Sequence, residues 1–148
     1  LFLQPGAVLS ADPITRTEDQ DSVDALPEFK APLDREVLDG LSRLQQPGAP
    51  SILRRIVDLY LESSRELKNR LRDAVESANA ASLREVAHTL KSSSANVGAL
   101  GLADLCRRLE VMGREADLSD VSTVHARFEA EYERVVTALE LEVQSSAA

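Results

Sequence analysis

The chain has 148 residues, 43% of them hydrophobic but only 3% aromatic with no Trp, so one domain with an aliphatic core of Leu, Val, Ile and Ala is expected, a composition that suits packed helices. Its formal net charge of −8 argues against nonspecific nucleic-acid binding, which depends on neutralising phosphates, and against adhesion to anionic membranes. No apolar run approaches the roughly 20 residues of a membrane span, and LFLQPGAVLS lacks the basic start of a signal peptide.

Residues 1–30 read as an acidic flexible linker. Pro5, Gly6, Pro13 and Pro27 break any periodicity, and TEDQDSVD is polar enough to stay solvated. The chain does not begin with Met, so it reads as a piece of a longer or processed protein. Residues 31–143 then carry helical patterns. Pro32 and Asp34 signal the start of a first helix running to about Gln45, with Val37, Leu38, Leu41 and Leu44 as its apolar stripe. Pro47, Gly48 and Pro50 make a turn, and Ser51 is placed to cap a long second helix over 52–77. Leu53, Ile56, Val57, Tyr60, Leu67, Leu71, Ala74 and Val75 follow the three-four spacing of one buried face. Tyr60 is expected in the core or at its rim, with its hydroxyl in water.

After a break at Asn79 to Ser82, a third helix is expected from about Ala80 to Val97, ended by Gly98. A fourth runs from about Leu100 to Gly113, with Leu102, Leu105, Cys106, Leu109 and Met112 inward. Cys106 reads as a small core residue rather than a reactive thiol. The single cysteine cannot form an internal disulfide, which is compatible with a reducing cytosol. The last helix should start near Leu118 to Asp120 and end near Val143, leaving 144–148 as a frayed tail. Val121, Val124, Phe128, Val135, Val136 and Leu139 mark its inner side, and His125 reads as an ordinary surface or rim histidine. No strand pattern emerges. The expected fold is all-α: an antiparallel four-helix bundle with a short additional N-terminal helix as a lid across one end.

The third helix carries the chemistry. At about 100° per residue, Leu83, Val86, Leu90 and Val97 share one face, while His88 falls opposite them. Around His88 lie Arg84, Lys91, Ser92 and Ala95, with Ala81 a turn further back. Exposed helix positions usually carry long side chains that favour helix, yet three serines follow Lys91. A small, cationic surface around an exposed imidazole looks like a place where another protein comes close. An incidental surface histidine is the alternative left open by these residues alone. Two histidines and one cysteine, widely separated, give no zinc-ligand spacing. There is no Gly-rich phosphate loop, no Gly-x-Ser-x-Gly and no internal repeat.

HTLKSSSANVGA followed by LADLCRRLE resembles the signature of histidine-containing phosphotransfer (HPt) domains, of the type found in hybrid sensor kinases. The matching positions are His88, Leu90, Lys91, Ser93, Ser94, Gly98, Ala99, Leu102, Leu105, Cys106, Leu109 and Glu110. Ser92 departs from the pattern, standing where the family usually has Gly.

The resemblance implies a phosphorelay module of two-component signalling. His88 would accept a phosphoryl group from a response-regulator receiver aspartate and pass it to another. A neutral imidazole has a ring-nitrogen lone pair near physiological pH, the ordinary imidazole pKa being about 6.5. Catalysis of such transfer is mostly positioning and charge stabilisation. Lys91, at i+3, would offset phosphoryl charge. Arg84, Ser92 and Ala95 would meet the partner. No cofactor is expected in this chain, and Mg²⁺ is expected in the partner receiver. The domain is expected to be monomeric and to lack autonomous kinase activity. It would be cytoplasmic, as the C-terminal part of a membrane-bound hybrid kinase following a receiver. The alternative from another class is a helical module that binds a receiver or partner helix without phosphotransfer.

Overall fold

A computed structural model describes residues 30–147, so the expected linker over 1–30 lies, but for Lys30, outside the described residues. The described residues form five helices and no strands, in an all-α bundle. They are α1 (Arg35–Ser42), α2 (Ile52–Glu76), α3 (Ala80–Asn96), α4 (Leu100–Glu115) and α5 (Val121–Ala147).

Three of the five helices, α1, α2 and α3, start at a capping side chain. The Asp34 carboxylate accepts from the Glu36 amide at 2.8 Å, Ser51 Oγ from the Arg54 amide at 3.2 Å, and Asn79 Oδ1 from the Ser82 amide at 3.0 Å. Each contact satisfies an amide that the first helical turn leaves unpaired. Helix α1 ends earlier than its sequence pattern suggests. Leu44 therefore lies beyond the helix and is exposed rather than part of its apolar stripe. Gln45 instead ties the turn together: its Nε2 donates to the Ala49 and Pro50 carbonyls, and its Oε1 accepts from the Ile52 amide at 2.7 Å.

Helix α4 continues through Gly113 to Glu115, and the stop comes from Ala116 in the left-handed conformation. Gly113 has a packing role. A Cβ there would sit 2.7 Å from both the Ala80 carbonyl oxygen and the Arg84 amide nitrogen, so only glycine lets α3 and α4 approach this closely. Helix α5 likewise runs past Val143.

Cross-helix contacts fix the directions. Ser64 meets Tyr132 and Lys68 meets Glu129, so α2 and α5 are antiparallel; Arg84 meets Gly113 and Lys91 meets Glu110, so α3 and α4 are too. The core is aliphatic, with Leu38, Leu71, Leu83, Leu90, Leu105, Leu109 and Leu139 fully buried around Phe128. Helix α1 lies against the α3–α4 turn. The Asp34 amide donates to the Gly98 carbonyl at 2.8 Å, and the Arg35 guanidinium pairs in two-pronged fashion with Glu142 at 2.7 and 2.8 Å. At φ +83°, Gly98 both takes the left-handed turn and leaves room for Asp34.

Three polar side chains are buried or half-buried in the bundle, and one of them, Tyr60, departs from expectation. Tyr60 does not reach water: it is buried and its hydroxyl lies 2.8 Å from Ser94 Oγ, an arrangement in which burial raises its pKa. Ser64, inside the α2 stripe, is fully buried and lies 2.8 Å from the Tyr132 hydroxyl. These pairs satisfy polar groups that would otherwise be costly in the core. His125 is half-buried, at the rim of the core rather than on the open surface. Its ring stacks on Phe128 at 6.2 Å, and Nε2 faces Glu129 Oε2 at 3.3 Å. Cys106 is a core residue as expected, and burial pushes its thiol up to about 12, outside the range of a reactive thiol. No helix among the described residues is long and apolar enough to cross a membrane.

Candidate functional site

Helix α3 buries Leu83, Val86, Ala87 and Leu90 and turns His88 outward, with 62% of its side chain exposed. The apolar periodicity alone dictates this orientation. What the periodicity does not show is the partner. His88 Nδ1 lies 2.7 Å from Oε2 of Glu110 on α4, and Lys91 Nζ donates to Oε1 of the same carboxylate at 2.6 Å. Glu110 is itself buried. The Lys91 hydrogen bond holds its carboxyl below the usual carboxylate range; burial opposes this, and the His88 contact assists.

An ionised carboxylate can only accept hydrogen bonds, so the ring nitrogen facing it must donate. Nδ1 therefore carries a proton. In the neutral ring, the lone pair belongs to Nε2, the nitrogen turned away from Glu110. One buried acid thus selects the imidazole tautomer and holds the ring's orientation. It also anchors Lys91, whose ammonium is brought to the same edge of α3.

The remaining expected site residues lie where the periodicity puts them, with differences in degree. Arg84 and Ser92 are exposed, and Ala95 is half-buried. The serine run divides. Ser92 stays on the surface, Ser93 is half-buried with its hydroxyl near the Leu90 carbonyl, and Ser94 points into the core against Tyr60. Of the three serines, only Ser92 is exposed beside His88.

Glu110 is the residue beside His88 that the sequence reading matched but gave no role. It follows Leu109 on the buried side of α4, where a carboxylate needs a partner. That was the available signal, but the partner's identity depends on how α3 and α4 pack. His125 offers no comparable site, because its Nε2 is buried against Glu129. Among the described residues no group of three or more His, Cys, Asp or Glu is placed to hold a metal ion. The cleft of about 350 Å³ beside the α1–α2 turn, lined by Gln45 and Ser51 among others, contains none of the His88 site residues.

The Hpt domain family matches residues 55–138, a stretch that includes His88, Lys91 and Glu110. The chain belongs to this family, and its role is histidine phosphotransfer in phosphorelays. It resembles the crystal structure of histidine-containing phosphotransfer protein B (HptB) from Pseudomonas aeruginosa PAO1, with a TM-score of 0.70 and 28% identity over 77% of this chain and 96% of that one. It also shares its fold with histidine-containing phosphotransfer protein MtHPt2 from Medicago truncatula, with a TM-score of 0.64 and 20% identity over 93% of this chain and 97% of that one. No curated protein sequence matches the chain.

Proposed function

We propose that His88 is the phosphoryl acceptor and donor of this domain, and that Glu110 and Lys91 are its working partners. The observation that carries this reading is the exposed imidazole whose Nδ1 is held by a buried, ionised carboxylate. Transfer needs an in-line approach and charge stabilisation more than covalent help from the protein. Nε2 attacks the phosphorus of a receiver's aspartyl phosphate. The Nε2–P bond forms as the P–O bond to the aspartate breaks, and the electron pair leaves with the aspartate carboxylate. The Nδ1 proton stays between the ring and Glu110, whose negative charge offsets the positive charge gained by the ring. The reverse step returns a neutral imidazole with the same proton in place, so neither direction requires a proton transfer. Lys91, within reach of the same edge, turns from Glu110 toward the phosphoryl oxygens.

Receiver domains are the partners of the family in general, and Arg84, Ser92 and Ala95 form the part of the surface that meets them in this reading. Mg²⁺ belongs with the aspartates of the partner receiver, and this chain carries no cofactor. The domain acts as a monomer, on the cytoplasmic side, as a module of a hybrid sensor kinase.

The test is direct. The protein is incubated with a receiver domain charged by acetyl phosphate and Mg²⁺, and the labelled product is mapped. Acid-labile, base-stable label on His88, absent from His88→Gln, is the expected result. Label that persists in His88→Gln overturns the assignment and leaves a helical docking module as the better description.

A further inference from the structure

Helix α3 is fastened to its neighbours at its start, its middle and its end. At the start, Gly113 lets α4 abut the backbone of Ala80 and Arg84. In the middle, Glu110 of α4 holds His88 and Lys91 at 2.7 and 2.6 Å. At the end, the Ser94 side chain reaches the other way, to α2, where its Oγ lies 2.8 Å from the Tyr60 hydroxyl. Both side chains are buried, Ser94 completely, in a core that is otherwise mostly aliphatic. Burial raises the Tyr60 pKa, so the group remains a hydroxyl able to donate. The Ser94 carbonyl also accepts from the Val97 and Ala99 amides at 3.2 and 2.9 Å, so the same residue closes the turn that leads into α4.

Apolar contacts have little directionality, so leucine and valine packing alone tolerates small slides and rotations of a helix. A buried hydroxyl pair does not. It keeps an O–O distance of about 2.5–3.0 Å or leaves polar groups unpaired in the core. His88 lies roughly 9 Å before Ser94 along α3, at the usual rise per residue, so a shift of the helix at Ser94 is carried to the imidazole. We propose that Tyr60 and Ser94 are positioning residues for phosphotransfer: by pinning the end of α3 to α2, their hydrogen bond sets the axial offset and rotation at which His88 Nδ1 meets Glu110. This rests on the relay reading of His88 and extends its machinery to a buried pair that never touches the phosphoryl group. Without the bond, α3 shifts and His88 spends part of its time away from Glu110. The ring proton is then free to sit on Nε2, where it blocks the lone pair that attacks phosphorus.

The test compares the wild type with Tyr60→Phe, Tyr60→Phe/Ser94→Ala and Tyr132→Phe, at a temperature where denaturant titration finds each protein folded. Tyr132→Phe removes a bond of the same kind, the 2.8 Å contact with Ser64, which lies between α5 and α2 rather than on α3. Two quantities are read: the rate at which phosphoramidate labels His88, and the nitrogen NMR shifts of the His88 ring, which report the nitrogen that carries the proton. The wild type and Tyr132→Phe are expected to show the Nδ1–H form and equal rates. Tyr60→Phe should label about fivefold more slowly, with ring shifts moved toward a mixture of tautomers. The double variant leaves neither hydroxyl unpaired, so it should be about as stable as Tyr60→Phe, yet stay slow. Wild-type rate and shifts in Tyr60→Phe overturn the proposal. Equal slowing in Tyr132→Phe also overturns it, as does a wild-type rate in the double variant, because the rate then follows overall stability. Absence of label on His88 in the wild type overturns the relay reading itself, and the positioning role with it.

Discussion

Nδ1 of His88 and Oε2 of Glu110 lie 2.7 Å apart, although the residues are 22 positions apart in sequence and sit on neighbouring helices. The contact is charge-assisted, and the acid is buried while the ring is exposed. Removing the acid should therefore alter the reactivity of the ring more than its accessibility. In Glu110→Ala the imidazole loses its tautomer selection, and labelling by phosphoramidate should slow by about tenfold, or about 1.4 kcal/mol of barrier. Glu110→Gln, whose amide oxygen can still accept from Nδ1, should recover part of the loss. Equal rates in all three proteins would show that Glu110 serves only to hold Lys91.

The same carboxylate makes stability depend on pH. Its pKa is lower in the folded protein than its ordinary value of 4.5, first through Lys91. A depressed carboxylate stabilises the fold above its unfolded pKa, and that contribution disappears as pH falls through the folded value. Wild-type Tm should therefore drop on acidification below about pH 4.5. The drop should be smaller in Glu110→Gln, which has no proton to take up there. Parallel Tm–pH curves for the two proteins would remove Glu110 from the acid transition.

The two histidines should separate cleanly. His88→Gln changes an exposed side chain, so Tm should stay close to wild type while phosphoramidate label disappears. His125→Gln changes a half-buried ring stacked on Phe128, and should cost about 1–2 kcal/mol while keeping full labelling. Denaturant unfolding and label mapping together check both outcomes. Lost label with unchanged stability in His125→Gln would reverse the assignments.

Bulk on the docking surface should act on the partner alone. Ser92 is exposed and next to Lys91, whereas Ala95 is half-buried, so Ser92→Trp is the cleaner substitution. Overpacking penalties of about 1–3 kcal/mol belong to cores, so the variant should fold. It should lose receiver-driven transfer and retain phosphoramidate labelling. Normal receiver-driven transfer would mean that partners approach from another side.

Gly113→Ala should be among the most damaging single-methyl additions to the chain. The new Cβ meets backbone atoms of Ala80 and Arg84 that cannot rotate away, so α3 and α4 must part. A loss of about 1–3 kcal/mol is expected in denaturant unfolding, along with slower labelling, because Glu110 lies one turn away and moves with α4. Wild-type stability in this variant would show that the helices separate without penalty.

Periodicity and capping residues alone determined most of the architecture. Asp34, Ser51 and Asn79 start their helices through their own side chains, and the leucine and valine spacing decides which face of each helix is buried. The outward direction of His88 follows from Leu83, Val86 and Leu90 pointing inward, and the residues after it carry the family signature. Those are local properties, set within one or two turns of helix. The partners were decided by tertiary structure. Glu110 reaches His88, Tyr60 reaches Ser94, Ser64 reaches Tyr132, and Gly113 becomes a contact point instead of a helix stop. A helical pattern reports which side of one helix avoids water. It contains no information on the axial offset and rotation of the next helix, and those two quantities determine which carboxylate lies beside which imidazole.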